Sequence, residues 1–217
     1  MTRLKLGVLI SGRGSNLAAL IAACAAPNFP AEIVLVVSNK AEAGGLDHAR
    51  RAGIATLVID HRAHAGREAF DAAIDDALRA AGVELVCLAG FMRLLSAKFI
   101  AGRAGRILNI HPSLLPSFRG LDAQAQALAA GVRIAGCTVH VVVPEMDAGP
   151  IVAQAAVPVL PGDTEDALSA RILAAEHRLY PAAVRLFAEG RALVAGNTVS
   201  VDAAAPADAT LLNPPPG

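Results

Sequence analysis

Short apolar runs alternate with helical patterns along most of the chain, and this alternation is the feature that most constrains its fold. The first four runs lie at residues 4–10, 31–38, 55–59 and 85–89. Between the last two, Phe70, Ile74 and Leu78 recur at four-residue spacing, as on one face of a helix that ends at Gly82. Strands that alternate with helices in this way indicate βαβ units and a mostly parallel sheet.

Composition favours one domain whose sheet is covered on both faces. A chain of 217 residues is long enough for one well-buried domain, with two small domains as the alternative. Hydrophobic residues make up 54% of it and aromatic residues only 3%, which suits a sheet buried by aliphatic side chains. We place the domain at residues 1–195. Regular patterning is lost from Asn197 onward, so residues 196–217 are predicted to be a flexible tail.

Charge and cysteine content argue against several classes of function. Basic and acidic residues number 19 each, so nothing in the net charge favours a nucleic-acid partner. Cys24, Cys87 and Cys137 are far apart and lie in apolar patterns, so we expect buried, reduced thiols and neither disulfides nor a metal site. The chain begins unlike a signal peptide, and no apolar run approaches the ~20 residues needed to span a bilayer. These features predict a cytoplasmic enzyme or binding protein with no membrane partner.

A glycine-rich turn follows the first apolar run. Residues 11–16 read Ser-Gly-Arg-Gly-Ser-Asn and lead directly into a helical pattern. Glycine allows close backbone approach, Ser15 can cap the helix, and the N–H groups of a helix N-terminus favour an anion. The turn lacks the third glycine of a dinucleotide fingerprint and the lysine of a P-loop. We therefore favour a monophosphate as its ligand; the alternative is an ordinary glycine turn with a serine cap.

The segment at residues 106–116 is the strongest candidate for chemistry. In a strand, residues two apart share a face, so Asn109 and His111 should point the same way while Ile110 turns into the core. Pro112 should end regular pairing at about His111. Ligands of open α/β sheets bind just beyond the carboxyl ends of strands, which is where this amide and imidazole are predicted to lie. The alternative is a structural histidine near a turn.

Two further loops can contribute to a ligand site. Gly90 ends the fourth run, and residues 91–95 can line a flat aromatic ligand with their backbone; the alternative is that Met92 and Leu94 are plain core. Residues 137–143 and 151–157 have no helix between them, so they should pair as an antiparallel hairpin. Their connection carries Asp147, which is either solvent-exposed or delivered to the site. A long helix is predicted from Thr164, as its N-cap, to about Glu189.

Three stretches together resemble the phosphoribosylglycinamide formyltransferase family, whose members use 10-formyltetrahydrofolate. They are residues 11–17, residues 109–116, and residues 136–140 taken with 146–150. Order and spacing agree with the family from about Leu4 to Gly190. The resemblance implies an α/β fold of Rossmann-like formyltransferase type, with a mostly parallel open sheet, a C-terminal antiparallel hairpin and a long final helix. It also implies formyl transfer to the amine of glycinamide ribonucleotide in purine biosynthesis, by a monomer or weak homodimer.

The resemblance assigns roles to individual positions of this chain. It implies that Asn109, His111 and Asp147 are catalytic. The ribonucleotide would be bound by four residues, Gly14, Ser15, Asn16 and Glu176. The folate would be contacted by Arg67, Met92, Arg93, Leu94, Leu95, Asn109, Val143, Pro144, Glu145, Met146 and Asp147. The chain departs from the family at Asp122 and Gln124, where relatives often have histidines, so substrate contacts there stay open.

The chemistry of formyl transfer suits these residue types. Attack of an amine on a formyl carbon produces an oxyanion, which Asn109 and a charged His111 can stabilise. An isolated histidine has a pKa of ~6.5, and a carboxylate such as Asp147 nearby would favour its charged form. Asp147 can also orient a water that carries a proton. Neither a metal nor a covalent intermediate is required.

Three other functions remain open from the sequence. A methionyl-tRNA formyltransferase would carry an RNA-binding domain and a basic surface. A formyltetrahydrofolate hydrolase would add an N-terminal regulatory domain. A nonenzymatic phosphate-binding module on the same fold would bind ligand without turnover. The expected partners are thus small molecules, with 10-formyltetrahydrofolate as the formyl donor.

Overall fold

The computed structural model describes residues 2–202 and Asn213. Its first part alternates strands and helices, in the order β1 (Leu4–Ile10), α1 (Ser15–Cys24), β2 (Ala31–Ser38), α2 (Gly45–Arg51), β3 (Thr56–Val58), α3 (Arg67–Ala80), β4 (Leu85–Leu88), α4 (Ala97–Gly102) and β5 (Ile107–His111). The remaining elements are α5 (Ala123–Ala129), β6 (Ile134–Val141), β7 (Ile151–Pro158), α6 (Glu165–Ala188), β8 (Ala192–Ala195) and β9 (Thr198–Val201). A short 3-10 turn at His61–Ala63 precedes α3.

Seven strands form one sheet in the order β3-β2-β1-β4-β5-β6-β7. Strands β1 to β5 pair in parallel, whereas β6 is antiparallel to both β5 and β7. This arrangement confirms the predicted α/β fold and the antiparallel hairpin. The long final helix is also confirmed, and Thr164 is its N-cap because the Thr164 hydroxyl accepts the Ala167 N–H at 3.2 Å.

Helices cover both faces of the sheet, and each face has its own core. One core joins α1, α2 and α6 to the sheet and includes Leu108 and the fully buried Tyr180. The other joins α3 and α4 to the sheet and includes Ile107. Since side chains alternate along a strand, Asn109 and His111 lie on the same face as Ile107. The α3 and α4 face is therefore the one that carries the candidate catalytic side chains.

The loops after β1, β4 and β5 meet at one edge of the sheet, because parallel strands all end there. The strand order reverses at β1, which pairs with both β2 and β4. Ligands of open α/β sheets bind in the crevice at such a point. Two of the loops are tied together here, since the Ser11 N–H donates to the Gly90 carbonyl at 3.1 Å and the Met92 N–H donates to the Ser11 hydroxyl at 2.8 Å.

The prediction of a flexible tail from residue 196 is wrong for its first residues. Strands β8 and β9 form a two-stranded antiparallel hairpin that turns at Gly196, and the Asp202 N–H donates to the Arg191 carbonyl at 2.8 Å. Ala192 is buried, and Val199 packs against the core that includes Tyr180. This packing orders a segment whose composition alone indicated a tail. The rest of the predicted tail, apart from Asn213, lies outside the described residues.

The predicted burial of the three cysteines is confirmed. Cys24, Cys87 and Cys137 are free and buried. Burial raises the pKa of Cys24 to about 11, and those of Cys87 and Cys137 to about 12, because desolvation disfavours a thiolate. Within the described part of the chain, none of the helices combines the length and apolar character needed to cross a bilayer.

Candidate active site

Four polar side chains meet at the β5–β6 pair. Asn109 and His140 are directly opposite each other in the antiparallel register, and their side chains are joined by a contact of 3.2 Å between Nδ2 and Nε2. His111 lies two residues further along β5 and is 5% exposed. Asp147 completes the group, with Oδ2 3.5 Å from His111 Nδ1 and Oδ1 3.7 Å from His140 Nε2. The three residues predicted to be catalytic are thus brought together.

The backbone of the β6–β7 connection places Asp147 in this group. Its φ is 51°, in the left-handed region that asparagine and aspartate tolerate better than most residues. Gly149 allows the loop to return closely, because a Cβ there would lie 1.7 Å from the Val141 carbonyl oxygen. The Gly120 N–H donates to Asp147 Oδ2 at 2.9 Å. The carboxylate is therefore held from two loops, and its side chain is 11% exposed.

Hydrogen-bond partners define where the protons of the two imidazoles lie. His140 Nδ1 donates to the Val141 carbonyl at 3.1 Å, and burial lowers the pKa of His140. A neutral His140 therefore presents a lone pair at Nε2, which accepts from the Asn109 amide. His111 Nε2 donates to the Phe118 carbonyl at 2.9 Å. Only Nδ1 of His111 is left to face Asp147 and a reacting group.

His140 is a site residue that the sequence analysis missed. It belongs to a stretch that carried the family resemblance, but no role was assigned to it. Its position follows from the register that pairs it with Asn109. The available signal was that two adjacent antiparallel strands each carry a polar residue within an apolar run, although the register itself cannot be read from either strand alone.

The glycine turn is held by backbone contact with α2. Gly14 has a φ of 76° and precedes α1 without a side-chain cap, so the prediction that Ser15 caps this helix is wrong. Ser15 is instead the first residue of α1, and the N–H groups of a helix's first turn have no partner within the helix. A Cβ on Gly14 would lie 2.4 Å from the Gly45 Cα, and the Gly45 N–H donates to the Gly12 carbonyl at 3.0 Å. The geometry suits an anion at the N-terminus of α1.

Asn16 and Glu176 connect this turn to the final helix. The Asn16 amide donates to a Glu176 carboxyl oxygen at 2.7 Å, although the two residues are 160 positions apart. Glu176 is 6% exposed, and this burial raises the pKa of its carboxyl. Asn16 Oδ1 is also buried and has no hydrogen-bond partner among the described residues. The residues predicted to bind the ribonucleotide therefore form one cluster beside the turn.

The loop after β4 is exposed at two positions that the alternative interpretation assigned to the core. Met92 is 63% exposed and Leu94 57% exposed, so the interpretation of both as plain core is wrong. Their neighbours differ, since Arg93 is exposed and Leu95 is buried. The turn at Gly90, with a φ of 73°, directs the chain away from the sheet and outward. The loop can therefore offer apolar side chains to a ligand.

The other predicted folate contacts lie on two further segments. Arg67 is exposed at the first position of α3. Val143 is half-buried, whereas Pro144, Glu145 and Met146 are exposed in the β6–β7 connection. A cavity of about 360 Å³ runs beside this connection, and its wall includes Ile100, Val142, Val143, Pro144 and, from the C-terminal hairpin, Val194.

The two positions that depart from the family lie at the start of α5. Asp122 is exposed and has a φ of 55°, and Gln124 is half-buried. Within residues 2–202 and Asn213, no group of three or more histidine, cysteine or acidic side chains is arranged to hold a metal ion.

The fold and this group of side chains define a formyltransferase. Residues 4–184 match the family model described as formyl transferase, and the chain belongs to that family. Within it, the similarity is to the phosphoribosylglycinamide formyltransferases, as the sequence resemblance indicated. The enzyme of that name from Escherichia coli is 46% identical over 90% of this chain and 92% of its own length.

Two further relatives extend the comparison. The crystal structure of glycinamide ribonucleotide transformylase 1 from Symbiobacterium toebii superposes with a TM-score of 0.90 at 54% identity, covering 92% of this chain and 94% of that one. The trifunctional purine biosynthetic protein adenosine-3 of Gallus gallus is 57% identical over 87% of this chain. The chain spans only 19% of the length of that protein.

The close contact of Gly14 with Gly45 predicts that Gly14→Ala will destabilise the protein. The substitution places a Cβ against backbone and requires a left-handed conformation, which alone costs about 1–2 kcal/mol. Gly12→Ala is the matched control in the same turn, because a Cβ there meets nothing within 4 Å. Urea denaturation should show a clear loss of stability for Gly14→Ala and little change for Gly12→Ala. Equal stabilities would contradict this account of the turn.

Burial of Glu176 predicts a pH-dependent effect of Glu176→Gln on stability. A carboxyl whose pKa is raised in the folded state contributes stability that is present below its ordinary value of 4.5 and is lost as the pH rises through the raised value. The variant has no such titration. Its melting temperature relative to the parent should therefore increase between pH 4.5 and pH 8. A constant difference across this range would show that the buried carboxyl does not titrate as described.

Proposed function

We propose that this protein transfers the formyl group of 10-formyltetrahydrofolate to the amine of glycinamide ribonucleotide, a step of purine biosynthesis. The observation that carries the proposal is the meeting of Asn109, His111 and Asp147 at the carboxyl edge of the sheet. In the sheet, β5 with Asn109 and His111 is the neighbour of β4 and lies two strands from β1, so the group adjoins the exposed loop after β4 with the glycine turn after β1 one strand further on. Two of the relatives described above are named for this activity. That the protein is cytoplasmic stays a prediction. That it is a monomer or a weak homodimer also stays a prediction.

The ribonucleotide is proposed to bind at the start of α1. Its phosphate would accept hydrogen bonds from the backbone N–H groups of Gly14, Ser15 and Asn16. The helix dipole also favours negative charge at this position. Glu176 would accept a hydrogen bond from a hydroxyl or amine of the substrate, as the family resemblance implies. The hydrogen bond between Asn16 and Glu176 supports this arrangement, because it places the carboxyl against the phosphate turn.

The folate is proposed to bind between two loops that flank β5, namely the loop after β4 and the β6–β7 connection. Met92, Arg93, Leu94 and Leu95 would contact it from the loop after β4, with Arg67 at the start of α3. Residues 143–147 would contact it from the β6–β7 connection. The exposure of Met92 and Leu94, two apolar side chains on the loop after β4, supports this placement.

The proposed reaction is a direct transfer. The substrate amine attacks the formyl carbon and forms a C–N bond, and the carbonyl electrons move to oxygen to give a tetrahedral oxyanion. The second N–H of the Asn109 amide can donate to this oxyanion, because the first is used by His140. In its charged form His111 adds a donor at Nδ1, because Nε2 already donates to Phe118.

Collapse of this intermediate breaks the bond between the formyl carbon and the folate nitrogen. The attacking amine must lose a proton, and the leaving nitrogen must gain one. Asp147 can orient a water that carries this proton, because its carboxylate lies beside His111 and is partly open to solvent. The sum is formylated ribonucleotide and tetrahydrofolate, with no proton left over.

One assay tests the proposal against its rivals. The protein is incubated with 10-formyltetrahydrofolate and glycinamide ribonucleotide, with initiator methionyl-tRNA, or with buffer alone, and the formylated product is identified. Formylated glycinamide ribonucleotide is the expected product. Free formate in buffer alone at a similar rate would indicate a hydrolase, formyl-methionyl-tRNA would indicate the tRNA enzyme, and ligand binding without any product would indicate a binding module.

The oxyanion role predicts large losses of rate in Asn109→Ala and His111→Ala. Removing one preorganised donor of this kind typically lowers kcat by about 10²–10³-fold. His48→Ala, on α2, is the control for replacing a histidine elsewhere, and it should keep the parent rate. Steady-state kinetics with both substrates measures these effects. Variants within a few-fold of the parent would remove the two residues from the mechanism.

The proton-transfer role predicts that Asp147→Asn lowers kcat strongly while binding falls only modestly. An amide keeps the size and the acceptor for the Gly120 N–H but has no charge to orient the water or pair with His111. Proton transfer by a positioned side chain typically raises the rate by about 10²–10⁴-fold. Asp166→Asn, an exposed carboxylate at the start of α6, serves as the control. Unchanged turnover in Asp147→Asn would exclude the proposed role.

A further inference from the structure

Tyr180 is the only tyrosine of the chain, and its hydroxyl lies between two strands of the sheet. The side chain is fully buried on α6. Its hydroxyl lies 3.0 Å from the carbonyl oxygen of Leu88 in β4 and 3.0 Å from that of Leu108 in β5. One O–H thus donates to two neighbouring parallel strands.

The two carbonyls belong to the peptide units that lead into the candidate site. The Leu108 carbonyl is part of the peptide that joins Leu108 to Asn109, so its orientation directly influences where the Asn109 side chain points. The Leu88 carbonyl is part of the peptide that joins Leu88 to Ala89, immediately before the turn at Gly90. The N–H of that second peptide donates to the Leu9 carbonyl at 2.9 Å. Leu88 and Asn109 are themselves paired across the two strands.

The hydroxyl is a polar group inside an otherwise apolar core. Tyr180 belongs to a core cluster that also includes Cys87, Leu108, Val139 and Val184, all fully buried. A buried hydroxyl is tolerated only when it is hydrogen-bonded, and a phenylalanine would fill most of the same volume without that requirement. Burial raises the pKa of Tyr180 well above its usual value, so the hydroxyl keeps its proton and acts as a donor.

The same helix also reaches the phosphate turn. Glu176 lies four residues before Tyr180, so the two side chains share one face of α6. Glu176 accepts a hydrogen bond from Asn16 beside the glycine turn. Tyr180 donates hydrogen bonds to backbone carbonyls of β4 and β5. A single helix face therefore contacts the proposed ribonucleotide site, the strand that carries Asn109 and the strand that leads to the proposed folate loop.

We propose that Tyr180 is a positioning residue for formyl transfer, whose hydroxyl sets the spacing between the Asn109 peptide of β5 and the end of β4. This inference rests on the proposed function. It assigns Tyr180 no contact with substrate. Its effect is on the geometry in which the Asn109 amide meets the formyl oxygen, and a misplacement of about 1 Å in a catalytic group can lower the rate 10²-fold.

Tyr180→Phe tests the inference, since it removes the hydroxyl and keeps the ring. We expect kcat to fall at least about tenfold, while KM for glycinamide ribonucleotide stays within about twofold because the phosphate turn is untouched. Ile172→Val is the matched control on the same helix. Ile172 is 1% exposed and belongs to a different core cluster, so Ile172→Val should lower stability by leaving a small cavity, without loss of kcat. A kcat within twofold of the parent in Tyr180→Phe, or equal losses in both variants, overturns the inference.

A double-mutant cycle with Asn109→Ala separates positioning from a general structural effect. If Tyr180 acts through Asn109, then Tyr180→Phe should lower kcat little further in the Asn109→Ala background. A full additional tenfold loss in that background overturns the inference.

A second measurement applies if Tyr180→Phe does not fold. The single tyrosine can be replaced with 3-fluorotyrosine, and its one ¹⁹F resonance should shift when Asn109 is changed to alanine. An unchanged resonance overturns the inference. The parent enzyme is assayed first: if it releases only formate, the proposed function fails, and Tyr180→Phe is then judged separately on the rate of that hydrolysis.

Discussion

The antiparallel register between β5 and β6 is the constraint on which the site depends. It sets Asn109 opposite His140 and His111 opposite Thr138. The first pair forms the amide–imidazole contact. In the second, the Thr138 hydroxyl donates to the Ser113 carbonyl at 2.7 Å and accepts the Leu115 N–H at 3.0 Å, which anchors the loop whose Phe118 carbonyl holds His111. A slip of β6 by one residue would turn His140 and Thr138 to the opposite face of the sheet from Asn109 and His111.

Close backbone approach is the second condition of the site. Gly149 lets the β6–β7 connection return against the Val141 carbonyl, and the left-handed backbone of Asp147 turns its carboxylate towards the two imidazoles. Gly14 and Gly45 play the corresponding part at the phosphate turn. In both places the absence of a side chain lets two backbone segments lie in contact. Any other residue type would displace the neighbouring backbone.

Burial gives the polar groups distinct roles. His140 is neutral and accepts from Asn109, whereas His111 has one nitrogen bonded to a carbonyl and the other free towards Asp147. Glu176 and Tyr180 are buried on one face of α6, each with a hydrogen-bonding partner on a distant element. The low dielectric of this interior strengthens each of these contacts and makes an unpaired group costly, which favours a single arrangement of the site.

Local patterns in the sequence were enough to determine the α/β class, the order and approximate bounds of the strands and helices, and the shared face of Asn109 and His111. Such features depend on periods of two and 3.6 residues and on glycine and proline, all of which can be read within one segment. Only the tertiary structure decided that His140 joins Asn109, that Gly14 and not Ser15 precedes α1, that Met92 and Leu94 are exposed, and that residues 198–201 pair with β8. Each of these depends on strand register or on contact between segments distant in the chain, and neither is encoded by the residues of one segment alone.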